Sequence, residues 1–594
     1  MGSPNVLMSA TNLRADIDKY KNMIRRLFLP LVILSCFLSI TFAACSPQDA
    51  PTTQNDKNLK LLYWQSPTIL NPHLATGFKD FDAARLVYEP LASYDDSDRL
   101  IPILAAEIPS RENGGVAADG KSVTWKLRSG VTWSDGEPFT AKDVVFTYNF
   151  ITNPDVGSSS AEVYAGLETV EALDDYTIKI TFKNITPGWS VPFTGQRGLI
   201  LPEHIFASYN NSNIRSARAN NQPVGTGPYK LVSFQPGDLA IYEANPNYWE
   251  PDKPFFERVE IKGGGDATSA ARAVLQTGDF DYAFNLQVEA HILQQLAAGG
   301  KGKILANFGS YVERIMFNFT DPNQATEDGE RSSVEFPHPF FSDKRVRQAF
   351  DLAIDRDTIA NQLYGETGRP TAQLIVIPAA YRSNQINYSL DLEKANSLLD
   401  EAGWKDTNNN GIRDRDGLEM RVVFQTSVNP VRQKTQEIVK QSLEAMGIRV
   451  ELKSVDPGIF FSGDPANTDT INHFYADLQM LTTGNESPDP GPHMKWWTCG
   501  EISQKENNWQ RPNYARYCNP KYDEIWQKAT TELDPEKRAR LFRQMDEFLR
   551  EDVAVIPIVE RATTTGISNT LTGIEPSPWD ANTWDIKNWQ RQSI

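Results

Sequence analysis

Apolar and polar residues alternate over residues 123–128. Val123, Trp125 and Leu127 fall on one face, and Thr124, Lys126 and Arg128 on the other. A period of two predicts a strand with one face buried. Ser129-Gly130 and Asp135-Gly136 are turn pairs on either side of a second extended piece, residues 131–133. Thr140 then supplies a helix N-cap, Asp143 an acid in the first turn, and Val144, Val145, Phe146 and Tyr148 an apolar face. Elsewhere the pattern predicts strands over residues 59–64, 170–182, 229–234, 312–319, 421–425, 448–452, 477–481 and 553–559. Helices are predicted over residues 82–88, 267–278, 392–402, 431–446 and 535–551. Residues 340–364 form the strongest amphipathic stretch, with Val346, Phe350, Leu352, Ile354, Ile359 and Leu363 near helical spacing. Asp355-Arg356-Asp357 interrupts it. The strand–helix–strand order over residues 421–452 implies a parallel pair with a right-handed crossover. No repeat appears at a period of roughly 20–50 residues. The elements add up to two α/β lobes with more than one crossing between them.

Length agrees with several lobes, since 594 residues exceed what one core serves. The net charge of −17 argues against nucleic acid or an anionic membrane surface as a partner. The N-terminal region reads as an export signal preceded by an upstream extension. Arg25-Arg26 is followed by an apolar run, residues 27–40, and by Ala43-Ala44-Cys45. This end resembles a bacterial lipobox, which makes Cys45 the acylated first residue of the mature chain and the anchor to a membrane. An uncleaved signal anchor is the alternative, because the run is nearly long enough to span. Residues 46–58 are polar and suit a tether.

Catalytic signatures are missing: there is no G-x-S-x-G, no H-E-x-x-H and no Walker A lysine. The six histidines never fall at ligand spacing with one another. Val224-Gly225-Thr226-Gly227-Pro228-Tyr229 leads into a strand rather than a helix N-terminus, so it reads as a tight turn and not as a phosphate loop. Asp406, Asn408, Asn410 and Asp414 take the spacing of a calcium loop around Gly411. Gly417 stands where the bidentate Glu of a full loop would be. A structural Ca²⁺ and a plain Asn/Gly/Asp turn both fit. No other cofactor is indicated.

The order of residues 119–150, DGKSVTWKLRSGVTWSDGEPFTAKDVVFTYNF, resembles the extracytoplasmic solute-binding proteins of ABC importers, in the peptide-binding group called family 5. Further blocks carry the likeness over roughly residues 59–590: Leu100-Ile101-Pro102, the Gly225–Tyr229 turn, Asn245-Pro246-Asn247-Tyr248-Trp249, Asp279-Phe280-Asp281-Tyr282 and residues 340–364. The resemblance implies an α/β, two-lobed periplasmic-binding-protein fold with a hinge, and a third subdomain inserted in the first lobe. The first lobe would take residues 59–90, 223–311 and 558–594, the insertion residues 91–222, and the other lobe residues 312–557. It implies no chemistry by the protein itself, which would be a monomer. The expected partners are a peptide ligand, most readily an oligopeptide, and ABC permease subunits with their ATPases. Nickel chelates, opines and oligosaccharides are the other ligands that the family suggests. A sensor without a transporter and an exported hydrolase on the same scaffold are the competing classes.

For ligand contacts the resemblance points to the loop Thr76-Gly77-Phe78 and to Gly484-Asn485-Glu486-Ser487-Pro488-Asp489-Pro490, with Trp496 behind it. In relatives this second loop carries an aspartate for the ligand ammonium. Here Asn485 or Glu486 takes that place, and only Glu486 keeps the charge. Thr426 stands where dipeptide-binding relatives supply an arginine for the ligand carboxylate, with Arg432 on the helix that follows. Relatives often carry a cysteine pair where Cys499 and Cys518 lie, and export to oxidising surroundings favours a disulfide between them over two free thiols.

Overall fold

A computed structural model describes residues 57–592, apart from residues 76, 210, 463 and 464. Cys45, the signal and most of the tether therefore lie outside the described residues. Among those described, no helix is long and apolar enough to cross a membrane.

One eleven-stranded mixed sheet runs through the molecule. Its order is Arg449–Val455, Arg421–Ser427, Leu478–Thr483, Gly302–Phe317, Val555–Ser568, Tyr282–Ala283, Asn58–Tyr63, Arg258–Gly263, Leu239–Ala244 and Tyr229–Gln235, with Gly368–Pro370 paired beside Val555–Ser568. The two central strands are the longest, and they pair antiparallel along most of their length. At one end they carry Tyr282–Ala283 and its neighbours; at the other they carry Leu478–Thr483. Two α/β lobes are thus joined through the same pair of strands. The pairing of Arg421–Ser427 with Arg449–Val455 is parallel, across helix Pro430–Ala445, as the strand–helix–strand order predicts.

These two strands are much longer than the apolar pattern predicts: residues 304–308 of the first are uniformly half-buried and so do not alternate, and the second is buried on both faces along most of its length. Thr564 and Thr565 are buried as fully as the aliphatic residues of the same strand, so alternation disappears. β-branched threonine keeps the extended backbone favourable without an apolar signal. Between Phe308 and Val312 the register shifts, and this irregularity lies where the strand passes from one lobe to the other.

Residues 119–150 fold as expected locally. Ser122–Lys126 is the edge of a three-stranded antiparallel sheet with Thr177–Phe182 and Leu167–Asp174. Val123, Trp125 and Trp133 are completely buried in a core shared with the first lobe. Helix Ala141–Thr152 carries the capping box of Thr140 and Asp143. Its buried stripe is Ala141, Val144, Thr147 and Ile151, while Val145, Phe146 and Tyr148 are only partly covered. Gly225 is a glycine because of close approach: a Cβ there would stand 1.8 Å from the Val87 carbonyl oxygen.

The helix expected over residues 82–88 begins earlier, at Phe78–Arg85, with Gly77 as its extended N-cap. Residues 340–364 form two helical pieces, divided at the expected interruption. Lys344–Leu352 is capped by Asp343, and a second piece starts where the Asp355 carboxylate accepts from the Thr358 amide.

Candidate functional site

Both lobes contribute to one cavity of about 80 Å³. Phe78, Phe284, Asn285, residues 577–580 and Asn582 come from the first lobe, and Gln196 from the segment that follows the three-stranded sheet. Thr482, Asn485 and Glu486 come from the end of Leu478–Thr483 and the loop after it. Tyr311, Arg561 and Thr563 come from the two connecting strands. Tyr311 sits at the register shift, and its ring meets Phe78 edge-on at 5.5 Å.

Charge is arranged in pairs around this cavity. Arg197 reaches across and holds Glu486 with two hydrogen bonds, from Nε to Oε2 at 2.9 Å and from Nη2 to Oε1 at 3.2 Å. The fork-on-fork geometry is the strong form of a charge-assisted bond. The Arg197 guanidinium also covers the Phe81 ring at 4.7 Å, and its Nη1 donates to the Ser159 carbonyl. Burial alone would lower the Arg197 pKa, but Glu486 outweighs it and holds the group above its ordinary value.

Arg561 is the cation that lines the cavity itself. Its Nε donates to Thr482 Oγ1 at 3.1 Å and lies 4.0 Å from Glu313. Glu313 is buried and accepts from Arg432 Nε at 2.8 Å and from the Thr482 hydroxyl. Burial pushes Glu313 up, yet Arg432 and Arg561 together hold it below its usual range. Asp580 is occupied by Ser93 and Arg85. Burial pushes the Tyr311 phenol up, and Glu486 adds to the effect.

The family model described as "Bacterial extracellular solute-binding proteins, family 5 Middle" matches residues 99–504. The chain belongs to that family. Oligopeptide-binding protein AppA of Bacillus subtilis (strain 168) is 28% identical over 541 residues, 88% of this chain and 90% of the relative. The solved structure of AppA from Bacillus subtilis in complex with a nonapeptide has a TM-score of 0.74 at 24% identity. It covers 91% of this chain and 100% of that one. NikZ from Campylobacter jejuni in complex with Ni(L-His) has a TM-score of 0.75 at 24% identity, over 90% of this chain and 100% of that one. The fold is therefore the family 5 binding-protein fold, in a family that binds solutes outside the cytoplasm and is not one of enzymes.

Set against the family reading, Phe78, Asn485 and Glu486 meet at the inter-lobe cavity. Gly77 caps the helix that presents Phe78, and Thr76 lies outside the described residues. Asn485 is buried, and its Oδ1 has no partner among the described residues. Three expected contacts stand elsewhere. Thr426 is fully buried within the sheet, donates to the Met480 carbonyl and does not line the inter-lobe cavity. Asp489 is committed to Arg538 at 2.9 Å and caps the Gly491 amide. Trp496 lines a different, smaller cavity inside the second lobe.

Cys499 and Cys518 are disulfide-bonded. In the loop with calcium-type spacing, Asp406 accepts from the amides of Asn410 and Gly411, and Asn408 from that of Asn410. Asp414 accepts from the amide and hydroxyl of Thr407. Among the described residues no three His, Cys, Asp or Glu side chains cluster as metal ligands.

Arg197, Tyr311 and Arg561 were not foreseen as site residues. Arg197 is bracketed by Gly195 and Gly198 in a tight turn. Arg561 follows Glu560 in the run that ends in three threonines. Neither signal says which cavity it faces, because that depends on pairing across more than a hundred residues.

Proposed function

We propose that the protein is the substrate-binding subunit of an ABC importer that captures peptides, most readily oligopeptides, between its two lobes. The observation that carries this reading is the inter-lobe cavity, with a carboxylate at Glu486 and a guanidinium at Arg561 on one wall system. A peptide backbone presents an ammonium, a carboxylate and amides, and such a wall can meet each of them. The aromatic rings of Phe78, Phe284, Tyr311 and Trp579 offer apolar area for side chains. Relatives named for peptide binding support the same ligand class.

Closure of the lobes about the two central strands would stabilise the ligand-bound form, and the permease would read that form. ATP hydrolysis would belong to the partner subunits. A lipid on Cys45 would hold the chain, as a monomer, at the outer face of a membrane. Titration calorimetry with a peptide series tests the reading. Saturable heat for tri- to nonapeptides supports it, and no heat for any of them overturns it.

A further inference from the structure

Arg314 lies on Gly302–Phe317, next to Glu313 but on the opposite face of the sheet. It is 1% exposed. Its Nη1 stands 3.4 Å from His493 Nε2, and its Nε and Nη2 meet no acceptor among the described residues. Glu313 cannot serve it, being held by Arg432 and Thr482 on the other face. A small cavity of about 10 Å³ opens beside Arg314, lined also by Thr483, Trp496, Trp497 and Tyr514. The Thr483 hydroxyl and the Trp497 indole N–H are buried and equally without a partner among the described residues.

Three lining residues thus bring N–H and O–H groups and one positive charge together, with no carboxylate among them. A guanidinium offers only donors, and so does an indole. A buried charge left unpaired costs several kcal/mol. A neutral occupant such as water satisfies donors but leaves that charge. Burial lowers the Arg314 pKa to about 9, which still leaves it protonated at neutral pH. His493 offers no second charge, since burial, with Arg314 beside it, holds its pKa well below the ordinary value.

We propose that this cavity is an anion seat, in which Arg314, with Thr483 and Trp497, binds one small anion. The space is that of about one water molecule, which suits a halide. The carboxylate of a bound ligand presents the same chemistry and is the other source. The seat does not depend on the peptide reading, because the halide arm of the test contains no peptide.

Melting is compared in sodium chloride and sodium gluconate at equal ionic strength, and crystals soaked in sodium bromide are examined by anomalous scattering. The expected result is a melting temperature higher by about 2 °C in chloride. A single bromide peak within hydrogen-bond distance of Arg314 is also expected. Arg314→Met should abolish the salt difference. Equal melting in both salts together with a map that has no peak at Arg314 overturns the proposal, and the wild-type map decides even if the variant does not fold. Soaking with Ala-Glu-Ala or Ala-Gln-Ala separates the sources. Loss of bromide with the first alone assigns the seat to a ligand carboxylate, and retention with both assigns it to a free anion.

Discussion

Replacing Arg197 by methionine keeps an aliphatic stem over Phe81 and removes the charge that holds Glu486. The consequence follows from competition. Any ligand ammonium that pairs with Glu486 must first displace a bidentate guanidinium. Two unit charges at about 4 Å attract by about 4 kcal/mol at an effective dielectric constant near 20. The Glu486 side chain is 40% exposed and that of Arg197 19%, so solvent screening and desolvation reduce the net value to about 1 kcal/mol. That energy is a factor of about five in affinity. The assay is calorimetry with trialanine and N-acetyl-trialanine, read as the ratio of the two dissociation constants. Arg197→Met should raise the preference for the free amine about fivefold, and Glu486→Gln should bring the ratio to about one. Asn485→Ala should leave it near the wild-type value. A ratio that is the same in wild type, Arg197→Met and Glu486→Gln refutes the assignment of Glu486 to the ligand amine.

Stability should fall as pH rises from 5 to 8. Burial pushes Asp82, Asp546 and Asp585 up to about 7. A carboxyl raised in the folded state contributes fully below its unfolded pKa of about 4, and that contribution is lost as pH climbs through about 7. Urea midpoints at the two pH values measure this, Asp546→Asn should flatten the slope, and a midpoint that rises with pH contradicts it. Reducing the Cys499–Cys518 disulfide, which closes a 19-residue separation, should cost about 3 kcal/mol, read from denaturant midpoints with and without dithiothreitol. A calcium ion at residues 406–417 should raise the melting temperature relative to chelator. No change would leave that loop as an Asx-turn connection held by its own amides.

Elements with one buried face were legible in the chain. Val123, Trp125 and Leu127 alternate because one side of their strand meets a core and the other does not. The parallel pair around Pro430–Ala445 was legible for the same reason, through an amphipathic helix between two short strands. The two central strands were only half legible. Thr564 and Thr565 of one strand and Glu313 of the other are buried, residues 304–308 are uniformly half-buried, and the register shift at residues 309–311 breaks the period. The site divides along the same line. The family resemblance pointed to Glu486 and Phe78, and both line the candidate cavity. It did not point to Arg197 and Arg561, because ion pairing across lobes leaves no local pattern. Thr426 looked like a ligand contact by position, yet its hydroxyl is taken by the neighbouring strand.

The central claim is that a peptide is held between the lobes. Native mass spectrometry of the protein purified from its natural host, followed by denaturation and sequencing of what is released, tests it most directly. The account predicts peptides in stoichiometric amount, lost on Glu486→Gln more than on Asn485→Ala. Release of a metal chelate, a sugar or an opine instead, with no peptide retained, would contradict it.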